Sequence, residues 1–94
     1  MALYEIEIRA LGRFDPTPDL VAELGELLEG ATGLVDPVVS ADLAAGAVEL
    51  SVEVEAPDRT RAHLTAAEAL GAAMVEAGPI AAWSVISPGE IAIV

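Results

Sequence analysis

The residues from Gly46 to Glu55 alternate without a break: Val48, Leu50, Val52 and Val54 fall on one parity, and Glu49, Ser51, Glu53 and Glu55 on the other. Successive side chains of an extended chain point to opposite faces, so this pattern makes a strand with one apolar and one wetted face. No helix would gather those valines on one side. Leu3 to Ala10 repeats the pattern, with Tyr4, Ile6 and Ile8 set against Leu3, Glu5, Glu7 and Arg9. Two half-apolar strands must bury their apolar side against another layer, which the rest of the chain has to supply.

The segment that follows each of the two strands reads as a helix. In Phe14-Asp15-Pro16-Thr17-Pro18-Asp19, Thr17 is placed to cap a helix and Pro18 takes the first helical position, where its missing N–H costs nothing. Leu20, Leu24, Leu27 and Leu28 then recur at helical spacing, with Asp19, Glu23, Glu26 and Glu29 on the other side, before Gly30 stops the helix. Pro57-Asp58 opens a second helix that runs to about Ala77, with Ala67, Leu70, Gly71 and Met74 on one stripe and Gly78-Pro79 as its terminator. Leu34 to Ala41 is a short β-branched strand. Its Pro37 cannot donate to a ladder, which assigns it to a sheet edge. Asp42 to Gly46 suits a hairpin connection, and Ala81 to Ser87 is a further apolar strand.

The order strand, helix, strand, strand, helix, strand over residues 1–94 predicts a single α+β domain of ferredoxin-like βαββαβ type. In that arrangement a four-stranded antiparallel sheet carries both helices on one face, and the two alternating strands are central. After Pro88-Gly89, Glu90 to Val94 has strand character and adds a possible short fifth strand. That strand would pair either with an edge of its own sheet or with a second copy, and the second option predicts a homodimer.

Composition narrows the partners. Sixteen acidic residues against four arginines and no lysine give a net charge of −12, which repels phosphate backbones and anionic lipid headgroups. Neither nucleic acid nor a membrane surface is an expected partner. A hydrophobic fraction of 54% separates the chain from acidic disordered tails. With no cysteine there are no disulfides, thiolate metal sites or thiol nucleophiles. The start of the chain has no basic-then-apolar signal pattern, and a cytoplasmic location is the expectation.

Chemistry-bearing residues are few. Glu5 and Glu7 on one central strand should stand beside Glu49, Glu53 and Glu55 on the other, forming an acidic sheet face. Such a face is a solvated surface, a cation site, for which a flat sheet lacks the enclosing loop, or a dock for a basic protein, with Glu5, Glu7, Glu49 and Glu53 as the partner-binding set. Glutamates at those positions also exclude RNA reading by a domain of this type, which stacks bases on aromatic residues there. Arg59, Arg61 and His63 near the start of the second helix are a candidate anion site together with the free N–H groups of its first turn. Arg9 and Arg13 lie at the opposite pole of the sheet. No Gly-x-Ser-x-Gly elbow and no phosphate-binding glycine loop is present, and no catalytic residue, metal site or cofactor is assigned.

Asp15 to Leu28, followed by Gly33-Leu34-Val35 and a hairpin, resembles the ACT domains that sense small molecules. The resemblance implies the same βαββαβ order, edge-to-edge pairing and an effector site between protomers. ACT domains carry a glycine just before the first helix, where Pro16, Thr17 and Pro18 stand here. Three functions are thus expected in order: a homodimeric non-enzymatic interaction or regulatory module, a small dimeric ferredoxin-like enzyme with a cavity between sheet and helices among Tyr4, Phe14, Met74 and Trp83 and His63 at its mouth, and an ACT-like effector domain.

Overall fold

The two alternating segments become neighbouring strands. The computed structural model describes residues 1–12 and 14–93. Its elements are β1 (Ala2–Leu11), α1 (Pro18–Glu29), β2 (Leu34–Asp42), β3 (Ala47–Ala56), α2 (Arg59–Ala77), β4 (Trp83–Ser87) and β5 (Glu90–Ile93). β1 and β3 run antiparallel in one uninterrupted register from Ala2 opposite Ala56 to Ala10 opposite Val48.

Alternation decides which side each residue takes. Ile6, Ile8, Val48, Leu50, Val52 and Val54 are all at most 4% exposed, under the two helices. α1 contributes Leu20, Leu24 and Leu28 to that layer, and α2 contributes Ala62, Ala66, Ala67, Leu70, Ala73 and Met74. The helix ends follow the local chemistry. The Thr17 hydroxyl accepts the N–H of Leu20 at 3.2 Å, and an Asp58 carboxylate oxygen accepts that of Arg61 at 2.8 Å. Gly78 closes α2 at φ 95°, in the left-handed region that glycine enters without strain.

β2 is an edge strand, and Pro37 sits where its register against β3 slips between Val35 and Val38. A residue with no N–H is accommodated at such a bulge. Asp36 beside it takes φ 50°.

The far side of the sheet departs from the expected plan. The sheet is mixed and five-stranded, in the order β2-β3-β1-β5-β4, where the sequence predicts four antiparallel strands with the fourth beside β1. That position is held by β5, which runs parallel to β1, and β4 lies outside it, antiparallel to β5. The physical reason is the tight turn at Pro88-Gly89, which folds the chain back so that Ile91 enters the core fully buried. β5 is therefore engaged within its own sheet, between β1 and β4. β4 is held from the helix side, where the Trp83 ring lies against Gly71 of α2 so closely that a Cβ there would stand 2.1 Å from the ring.

No helix among the described residues is long and apolar enough to cross a membrane. Arg13 and Val94 lie outside the described residues.

Candidate functional site

The outer face of the sheet places the predicted glutamates in two different settings. Glu5 stands directly opposite Glu53, while Glu7 faces Ser51. The N–H of Arg9 bonds to the carbonyl of Gly89 and so points away from β3. By the alternation of an antiparallel ladder, Leu3, Glu5 and Glu7 also turn their backbone groups away from β3. Glu5 and Glu53 thus form a non-hydrogen-bonded pair, the kind in which side chains approach most closely. Two like charges so placed cost roughly 0.2–1 kcal/mol. No cation among the described residues pairs with Glu5, Glu7 or Glu53.

Glu49 is different. Its carboxylate lies 3.0 Å from Arg9 Nε in an ion pair without hydrogen-bond alignment, and Arg9 donates from Nη2 to Asp42 at 3.0 Å, so one arginine gathers two acids at the far end of the face. All three side chains are more than a third exposed, which holds each pair to about 0–1 kcal/mol. Among the described residues the acids of this face without an ion pair are therefore Glu5, Glu7, Glu53 and Glu55, and Glu49 belongs to a separate ion-pair cluster.

Arg59, Arg61 and His63 do not converge. Residues two apart on a helix point in nearly opposite directions, which separates Arg61 from the other two. The cap supplied by Asp58 already occupies the Arg61 N–H and places a carboxylate at the helix start. Arg59 turns back to the sheet, with its guanidinium 5.2 Å from the centre of the Tyr4 ring and one N–H donated to the Glu5 carbonyl at 3.4 Å. His63, one turn on, lies beside it with Nδ1 buried and without a hydrogen-bond partner among the described residues.

Arg59 and His63 border a groove of about 530 Å³ between α2 and the end of β4, lined also by Leu64, Ala67, Val85 and Ile86. The alternation of β1 and β3 gives no sign of this groove. It arises because the β4–β5 hairpin pairs with β1 only at Arg9, Ala10 and Leu11. Leu64, Val85 and Ile86 are left 40%, 47% and 56% exposed. The one signal in the sequence is the Pro88-Gly89 turn, which commits the tail to β4 and shortens what reaches β1.

Met74 is fully buried, and Tyr4, Phe14 and Trp83 pack at the margin of the core. Among the described residues no three of His, Asp and Glu are grouped so as to hold a metal ion. Comparison with protein-family models, with curated proteins and with solved structures gave no match to this chain.

Proposed function

We propose that this chain is a protein-interaction module that engages a basic partner along the Glu5, Glu7 and Glu53 side of its sheet, on a ferredoxin-like plan whose fourth-strand place is taken by a hairpin. The observation that carries the reading is the Glu5–Glu53 pair. Two carboxylates in the closest type of cross-strand contact, neither of them in an ion pair because nearby Arg59 is turned to the Glu5 carbonyl, are relieved by a lysine or arginine from outside. The net charge of −12 adds long-range attraction for such a partner.

The test replaces Glu5, Glu7 and Glu53 together by Gln. Relief of repulsion leaves the variant as stable as the parent in urea, or more stable. Peptides selected on the parent protein from a random display library should be rich in Lys and Arg, bind more weakly as salt is raised, and lose at least tenfold in affinity for the variant. Selection of neutral or acidic peptides, or equal retention by the variant, contradicts the proposal.

A further inference from the structure

The order of the sheet makes β1 a central strand, yet most of one edge of β1 is bare. β5 covers only Arg9 to Leu11. From Leu3 to Glu7 the outward N–H and C=O groups belong to Leu3, Glu5 and Glu7, and among the described residues the one bond made to them is the 3.4 Å contact from Arg59 to the Glu5 carbonyl. The Pro88-Gly89 turn stops just short: the carbonyl of Glu7 would lie 3.5 Å from a Cβ built on Gly89. The open stretch admits a strand of about five residues at the ordinary rise of about 3.3 Å per residue.

We infer that the bare edge of β1 receives an extended segment of a partner protein as an added strand, with apolar and basic side chains in alternation. This deepens the proposed function, on which it rests, by naming the form of the basic partner. Backbone groups of Leu3, Glu5 and Glu7 supply the ladder. The added strand sends alternate side chains to opposite faces, and the two faces differ in chemistry. On the helix side they enter the groove of Leu64, Ala67, Val85 and Ile86, whose lining holds no carboxylate to receive a cation. On the outer side they meet Glu5, Glu7 and, one strand further in, Glu53. The alternation is thus imposed by an apolar lining on one face and carboxylates on the other.

A second copy of this chain fits poorly on the same edge. Antiparallel pairing of two β1 strands about Glu5 sets glutamate against glutamate across the new ladder, between molecules that each carry −12. Charge complementarity selects a basic strand instead.

The experiment uses the full chain and a capped seven-residue peptide alternating Lys and Val, compared with a block isomer of the same composition, an alternating Glu/Val peptide, and two N-methylated forms of the Lys/Val peptide that block opposite backbone edges. The expected result is saturable binding of the Lys/Val peptide that perturbs and slows exchange of the Leu3, Glu5 and Glu7 amides. One N-methylated form should lose at least tenfold in affinity while the other binds like the parent peptide, and the Glu/Val peptide should not bind. Equal binding of the block isomer and of both N-methylated forms overturns the added strand and leaves the acidic-face reading standing. Failure of every lysine peptide overturns both. Sedimentation of the protein alone as a dimer with the Glu5 and Glu7 amides already protected assigns the edge to a second copy and also overturns the inference.

Discussion

Replacing Gly71 by alanine lowers the stability of this protein by about 1–3 kcal/mol, although the same change at an open helical position raises it. A Cβ at Gly71 would lie 2.1 Å from Trp83 Cε2 and 2.3 Å from Cδ2, with Nε1 at 2.5 Å. None of those ring atoms yields without moving the whole indole, and Trp83 begins β4. The substitution therefore pushes the β4–β5 hairpin away from α2. Gly25, inside α1, has nothing within 4 Å of a built Cβ, and alanine there should add about 0.8–1 kcal/mol through helix propensity alone. Urea unfolding of the two variants reads the contrast. Trp83 is the sole tryptophan, so its emission moves to the red only in the Gly71 variant. Equal stabilisation by both alanines would mean that β4 does not lie against α2.

The second large effect is at Leu50. It is 1% exposed in β3, opposite Ile8 of β1 on one side and Val39 of β2 on the other, so truncation to alanine opens a cavity in the most enclosed part of the core. The loss should be about 2–5 kcal/mol, a large share of the roughly 5–15 kcal/mol that holds a typical domain folded. Ser51, the next residue, points to the wetted face, and Ser51→Ala should change stability by less than about 0.5 kcal/mol. Because a one-residue slip would exchange the faces, the difference between neighbours tests the register directly by chemical denaturation. Similar losses at both positions would contradict it.

Much of this architecture is legible in the residues themselves. The alternation at Ile6 to Ile8 and Val48 to Val54 reports which faces are buried, because each strand is long enough for the pattern to exclude a helix. Thr17, Asp58 and Gly78 mark helix ends through hydrogen bonds or backbone freedom that a few adjacent residues determine. Pro37 marks an edge because the lost donor is a local fact. The acidic face was equally readable as a face.

Its internal pairing was not. That Arg9 draws Glu49 and Asp42 into one cluster and leaves Glu5 against Glu53 depends on the register between strands some forty residues apart. The order of the last two strands was hidden for a similar reason. Glu90 to Ile93 reads as a strand in any neighbourhood, and its parallel contact with β1 spans three residues. What selects that place is the burial of Ile91 beside Ala10 in the shared core, a gain that local pattern does not reveal. The open edge of β1 and the groove at Leu64, Val85 and Ile86 follow from how short that contact is.

Amide hydrogen exchange along β1 tests the bare edge most directly. Tyr4, Ile6 and Ile8 direct their N–H groups to β3, and Arg9 gives its N–H to Gly89 at 2.9 Å, so these four should exchange slowly. Leu3, Glu5 and Glu7 should exchange fast in the same molecule, producing an alternation within a single strand. Uniform protection from Tyr4 through Arg9 in the free monomer would put another strand against that edge and contradict the account.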